Sequence, residues 1–353
     1  MRKRLASDVR LTAQVAAAGC AAKLGPGDLR AALGLVRQPR RDPRVLVDSS
    51  TLDDAGLFAW GRGDVLVQTV DFFTPIVDDP YDFGQVAAAN ALSDVFAMGG
   101  KPLTSLALLC VPDGTLSTEV IAAILQGGLD KMHEAGASVV GGHSIRDPEL
   151  KFGYAVTGVA KRRKLLLNSG ARPTDQLFLT KPIGTGVLTT ALKQGKLEPG
   201  LLRRVTRQMA TLNRAASEVA LEHAATAATD VTGFSLLGHA SQVADASEVS
   251  FALEPRPDWL LPRVLEYIAQ DVYPGGLARN RKFFSAKVEE LGVEENLLRA
   301  LYDPQTSGGL LVALPARRAA GFSAGLRRRR VWHVRVGEVV RRGAHAVRFA
   351  AKG

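Results

Sequence analysis

Between residues 57 and 165 the chain alternates short apolar stretches with helical ones, and this alternation most limits the folds open to it. VLVQTV is followed by a helix predicted over about 84–98, then LTSLALLCV, a helix over about 118–135, ASVVG and YAVTGVA. Such elements stack in layers, because each has one apolar side to bury. Asp82 and Gln85 stand in capping-box spacing at the first helix, and Ser117 opens the second with Glu119 in its first turn. A linker over about 162–175, ending in ARPTD, leads to the strand LFLT and a second set of helices and strands. The expected architecture is α+β or α/β in two parts, a domain over 51–165 and another over 166–353. Residues 1–50 mix Gly, Ala and charge without a sustained period and form a flexible arm.

A chain of 353 residues is long enough for two packed cores. With 46% hydrophobic and 23% charged residues it is neither disordered nor fibrous. Its longest uninterrupted apolar stretches, such as residues 106–111, are far shorter than the roughly 20 residues needed to cross a bilayer. Two cysteines, Cys20 and Cys110, cannot form a disulfide framework and suit a reducing compartment. The N-terminus imitates a secretion signal, but Asp8, Arg10 and Gln14 interrupt it, so a cytoplasmic location is expected. The net charge of +10 is concentrated in residues 301–353, which carry eleven Lys and Arg against two acids. GLRRRRVW and WHVRVGEVV contain little aromatic interleaving and no known reading motif, so a solvated basic face is expected rather than a nucleic-acid partner.

The aspartates are the residues hardest to explain structurally. Asp54 ends the hydroxyl-rich STLDD, Asp71 ends the first long strand, and Asp230 in TDVTGF precedes a helix. Asp94 sits within AAANALSDVFAMGG, where helix propensity and burial both disfavour it. Asn90, four residues earlier, shares its face and makes a narrow polar stripe. Four separated carboxylates converging through the fold would suit Mg²⁺, which prefers carboxylate and phosphate oxygens. Taken singly, Asp53 and Asp230 are equally explained as a cap or a turn residue, an explanation weaker for Asp94. Asp78, Asp79 and Asp82 flank Pro80 and read as turn and capping residues.

Three glycine-rich turns, KPIGTG, VVGGHS and TSGGLL, are able to turn backbone N–H groups toward a phosphate. None has the dinucleotide or Walker spacing, so the signal lies in their number. His143 beside Gly141 and Gly142 is a possible anion donor, whereas His239 reads as structural. Cys20 and Lys23 in GCAAK pair an exposed thiol with an ammonium that favours its thiolate, although a plain free thiol is the simpler reading of that spacing. Cys110, within a strand, is expected to be a buried small hydrophobe.

Together, GCAAK, STLDDA, QTVDFFTPIVDDPYDFGQVAAANALSDVFAMGGKP, VVGGHS, YAVTGVA, LTKPIGTGVLTTA, TDVTGFSLLGH, the PGG before Arg279 and DPQTSGGLL resemble the selenide, water dikinases, also called selenophosphate synthetases. The matches keep the family's order from residue 19 to about 311. The resemblance implies a two-domain aminoimidazole-ribonucleotide-synthetase-like fold that pairs as a homodimer through its N-terminal domain. It implies conversion of ATP, selenide and water into selenophosphate, orthophosphate and AMP. Cys20 falls on the catalytic position and Lys23 on the essential lysine. Thr51, Leu52 and Asp53 fall on nucleotide contacts, Asp54, Asp94 and Asp230 on Mg²⁺ ligands, and Asp71 with Gly142, His143 and Ser144 on further ATP contacts. A monovalent cation and a selenium-delivery protein are left open. The chain departs from the pattern at Ala22, where many members carry a second Cys, and at Ser235, where the family has Gly. The rival readings are another ATP-dependent enzyme of the superfamily, against which GCAAK argues, and a non-catalytic nucleotide-binding homologue, against which the intact aspartates argue.

Overall fold

In the computed structural model of the protein the described residues are 10–15, 19, 32, 35–36, 42–48 and 53–350. The first set of strands comprises β1 (Val45–Val47), β2 (Gly56–Trp60), β3 (Asp64–Phe73), β4 (Lys101–Val111), β5 (Ser138–Arg146) and β6 (Lys151–Lys161). They form one sheet in the order β1-β2-β3-β6-β4-β5. Only β4 and β5 are parallel, and the helix between them supplies the crossover that parallel pairing needs. Along β3 the period of two separates buried Val65, Val67, Asp71 and Phe73 from exposed Gln68, Val70 and Phe72.

Two helices, α1 (Pro80–Ala97) and α2 (Thr118–Glu134), cover the buried face. Helix α1 starts earlier than the expected residue 84: its N-cap is Asp79, which accepts from the Asp82 N–H at 2.9 Å, and Pro80 occupies the first turn. Asp82 is therefore inside the helix rather than its cap. Helix α1 is buried nearly all round, which its Ala, Val and Gly content permits. Ser117 caps α2 as expected, accepting from the Val120 N–H at 3.4 Å. VVGGHS, expected after a strand, lies within β5, because the ladder to β4 continues through Gly141, Gly142, His143 and Ser144. Cys110 is half-buried rather than buried, since β4 has only the exposed edge strand β5 beyond it.

The second half contains β7 (Asp175–Leu179), β8 (Ala227–Asp230), β9 (Val249–Leu253), β10 (Val288–Glu289), β11 (Leu310–Pro315), β12 (Val334–Arg341) and β13 (Val347–Phe349). Its sheet runs β10-β13-β9-β12-β7-β11-β8. The helices are α3 (Thr185–Lys193), α4 (Pro199–Met209), α5 (Arg214–Glu222), α6 (Ser235–Ala246), α7 (Val264–Ala269), α8 (Gly275–Phe284), α9 (Glu295–Leu301) and α10 (Ala316–Arg328). The halves share apolar packing: Val187 and Leu188 of α3 and Met209 of α4 belong to the same buried cluster as Phe83 and Leu92 of α1. In the arginine-rich end, Arg329, Arg335 and Arg342 pair with Glu222, Glu254 and Asp245. Among the described residues no helix is long and apolar enough to cross a membrane.

Candidate active site

Strand and helix periods bring four polar side chains face to face. Thr69 and Asp71, two apart on β3, point to the covered side of the sheet, while Asn90 and Asp94, four apart on α1, lie one turn from each other. The Thr69 hydroxyl donates to Asp94 Oδ2, and Asn90 Nδ2 donates to Asp71 Oδ2 at 2.6 Å. The polar stripe of α1 is thus aimed at β3. Asn90 Oδ1 accepts from the Ser307 N–H at 2.8 Å, and Asn213 Nδ2 donates to Ser93 Oγ at 2.8 Å, so the seam continues into the second half.

Asp54 and Asp230 meet at the same junction. Asp54 stands just before β2, and its Oδ1 accepts from Thr229 Oγ1 at 2.8 Å; Asp230, the next residue, ends β8 and is buried. Burial, reinforced by the charges of Asp230 and Asp94, pushes the Asp54 carboxyl well above the usual carboxylate range, and the Thr229 hydroxyl only partly opposes this. Asp94, from the same half, and Asp230, from the other, are therefore each within electrostatic reach of Asp54. Asp54 Oδ2 is covered by protein and has no hydrogen-bond partner. Neighbouring Asp53 anchors the turn Asn168–Gly170 by accepting from the Asn168 N–H at 2.8 Å.

Crowded carboxylates with a covered, unbonded oxygen are costly unless a cation joins them. Among the described residues no three His, Cys, Asp or Glu side chains are gathered closely enough to enclose a metal ion unaided. Mg²⁺ does not need such a cage, because it takes one or two carboxylates and completes its octahedron with water and phosphate oxygens. The aspartates fit an ion held in that way.

Lys181 is the residue that sequence reasoning missed. It follows β7, is buried, and donates from Nζ to Thr211 O at 2.7 Å and to Ser307 O at 2.8 Å. Burial drives its ammonium down to about 7, against the pull of Asp230. A lysine between a strand end and a proline was the available signal, but KPIGTG drew attention for its glycines. Those glycines do not serve a phosphate. The Gly184 and Thr185 N–H groups donate to Gln305 Oε1 at 2.9 and 3.1 Å, and those of Gly186 and Val187 donate to Asp303 Oδ2 at 3.0 and 3.3 Å. In TSGGLL the Ser307 N–H is likewise engaged by Asn90, and that of Leu310 donates to Thr180 Oγ1 at 2.8 Å.

Gly142, His143 and Ser144 are not brought to the aspartates within one chain. Asp71, Tyr154, Ala107 and Gly142 form one row across β3, β6, β4 and β5. Three strand spacings separate the ends of that row by about 14 Å. His143 falls in the next row, with Phe72, Gly153 and Leu108, on the sheet face opposite α1. Cys20, Lys23, Thr51 and Leu52 lie outside the described residues. Gly19, which precedes Cys20 in sequence, donates its N–H to Thr74 O at 3.2 Å, and a Cβ added to it would meet Ile76 Cδ1 at 2.5 Å.

Comparison with known proteins gives this site a family. The model of the AIR synthase related protein N-terminal domain matches residues 52–160, and that of the C-terminal domain matches residues 172–350. A selenide, water dikinase of Geobacter metallireducens is 46% identical over 97% of this chain and 100% of its own length. One from Myxococcus xanthus is 47% identical over 88% of each chain. Among solved structures, tt0281 from Thermus thermophilus superposes with a TM-score of 0.67 at 20% identity, covering 93% of this chain and 97% of that one. Thiamine-monophosphate kinase from Stenotrophomonas maltophilia does so with a TM-score of 0.63 at 19% identity, covering 93% and 96%. These structural likenesses establish the two-domain mixed fold, and the sequence relatives go further: the chain belongs to the selenide, water dikinase family of AIR synthase related proteins.

Proposed function

We propose that the protein converts ATP, selenide and water into selenophosphate, orthophosphate and AMP, as the names of relatives matching nearly its whole length suggest. The observation that carries this reading is the convergence of Asp54 and Asp94 from one half with Asp230 from the other, around a covered Asp54 oxygen with no hydrogen-bond partner. In this reading Asp54, Asp94 and Asp230 hold Mg²⁺, which when bound neutralises polyphosphate charge. Asp71, oriented by Asn90, contacts the nucleotide together with Thr51, Leu52, Asp53 and Asp94. Gly142, His143 and Ser144, too far from the aspartates within one chain, add their contacts from β5 of a second copy. Lys23 offsets phosphate charge so that an anionic acceptor approaches, and the Cys20 thiolate meets the selenium. Lys181 ties the Thr211 and Ser307 loops beneath the carboxylates and places positive charge near Asp230.

In the same reading residues 1–50 are the arm bearing Cys20 and Lys23, 51–165 the nucleotide, metal and pairing domain, and 166–353 the C-terminal α/β domain. Two copies pair through the open face of the first sheet, where Val70, Phe72 and Leu106 are exposed at 57%, 44% and 46%. Water-exposed apolar side chains clustered on one sheet face favour association. A reducing cytoplasm suits the two-cysteine composition. An anaerobic assay with ATP and Mg²⁺, with and without selenide, tests the reaction. Selenide-dependent AMP and a selenophosphate phosphorus resonance are expected; nucleotide binding without selenide-dependent AMP would reject it. Adding K⁺ or a selenium-delivery protein to the same assay tests those further requirements.

A further inference from the structure

Ser307, in the TSGGLL segment, is unfavourable to the fold in two ways. Its φ is +49°, a left-handed conformation that disfavours any side chain. Its hydroxyl is fully buried and has no hydrogen-bond partner among the described residues, so it forfeits the bonds that water would give it. Glycine would avoid both costs, and the segment uses glycine at the next two positions. There the backbone demands it: a Cβ on Gly308 would lie 1.9 Å from Val231 O, and one on Gly309 would lie 2.3 Å from Lys181 N. A side chain kept at position 307 in spite of strain and an orphaned hydroxyl points to a use outside folding.

Position supplies that use. The Ser307 N–H donates to Asn90 Oδ1 at 2.8 Å, and its C=O accepts from Lys181 Nζ at 2.8 Å. Asn90 holds Asp71 at 2.6 Å, and Lys181 feels the charge of Asp230. The following carbonyl, of Gly308, accepts from Asn213 Nδ2 at 2.8 Å. The main chain at Ser307 is therefore pinned between the two halves, two hydrogen bonds from Asp71, with the hydroxyl as its one polar group left over. A serine hydroxyl can donate as well as accept, and a donor enclosed beside a site for an anionic, metal-bound group gains most from a charged oxygen.

We propose that the Ser307 hydroxyl is a further binding group of this site, donating its proton to an oxygen of the Mg²⁺–polyphosphate group when that group is bound. The inference rests on the reading of the aspartates as the Mg²⁺ and nucleotide site. Ser307→Ala removes the hydroxyl alone and keeps the Cβ and the backbone angle; Ser307→Gly removes the strain as well and serves if the alanine variant folds poorly. Without ligand, both full-length variants should melt at or above the wild-type temperature, because the group removed has no partner in the fold. Titrated by calorimetry with a non-hydrolysable ATP analogue in excess Mg²⁺, each should bind about tenfold more weakly than the wild type. Wild-type affinity in either variant would overturn the inference. So would a melting temperature well below the wild type in both, since the hydroxyl would then serve the fold. If selenide-dependent AMP formation fails while the variants still lose the analogue, the reaction falls and the contact stands. If the reaction is established and the variants bind the analogue as the wild type does, only the contact falls.

Discussion

Single residues carry two costs that are separable from chemistry. Ser235 has φ +72° at the start of α6, a left-handed conformation that disfavours a side chain by roughly 1–2 kcal/mol. Its hydroxyl compensates only through a long 3.4 Å contact from the Gly238 N–H. Ser235→Gly should therefore raise the unfolding free energy by about 1 kcal/mol in urea denaturation, and an unchanged midpoint would refute the strain. Asp303 is the second case: burial pushes its carboxyl up to about 7 from the usual 3.8, while Gln305 and the Val187 and Gly186 N–H groups oppose the shift. The folded chain then holds a proton that the unfolded chain has released, so this group's stabilisation is full below about 4 and is lost as pH rises to 7. Against Asp303→Asn, wild-type stability should fall with rising pH across that window by up to about 1.4 kcal/mol per unit; parallel profiles would contradict it. Asp94 and its Asn90 stripe were legible in the sequence because an acid in an apolar helix lacks a local explanation. Lys181 and Asp303 were not, because their environments come from loops more than a hundred residues away.

At the scale of elements, the close contact of α1 with α2 positions the polar seam. A Cβ on Gly84 would lie 2.0 Å from Ile124 O, and one on Gly127 would lie 2.0 Å from Tyr81 O. Backbone presses on backbone here, with no flexible side chain to yield. Gly127→Ala should destabilise the protein by about 3 kcal/mol and, by shifting Asn90 and Asp94 relative to β3, should also lower turnover; near-wild-type denaturation would show that the crossing relaxes freely. The alternation of strand and helix was readable from hydrophobic period alone. Boundaries were less so: Asp79 and Asp82 are both plausible caps, and only the tertiary setting selects Asp79. The double glycine in β5 suggested a turn, yet Gly142 is in a ladder where a Cβ would meet Ala107 O at 2.3 Å.

For the whole molecule, the two halves share one core, in which α3 and α4 pack with α1, and the candidate site lies in their seam. The sequence pattern indicated two halves but not their shared core, since helix faces choose partners only once both sheets exist. The open face of the first sheet leads to a further expectation: Phe72→Glu should convert a dimer to a monomer in sedimentation without unfolding the chain, whereas a retained dimer would move the interface elsewhere. The central claim is that Asp54, Asp94 and Asp230 act together as the Mg²⁺ and phosphate site. The most direct measurement is Mg²⁺-dependent ATP turnover in Asp54→Asn, Asp94→Asn and Asp230→Asn, each checked for folding by circular dichroism. Loss of at least a hundredfold in each, about 2.7 kcal/mol of barrier, with the fold retained, is the predicted result; full turnover in all three would contradict it.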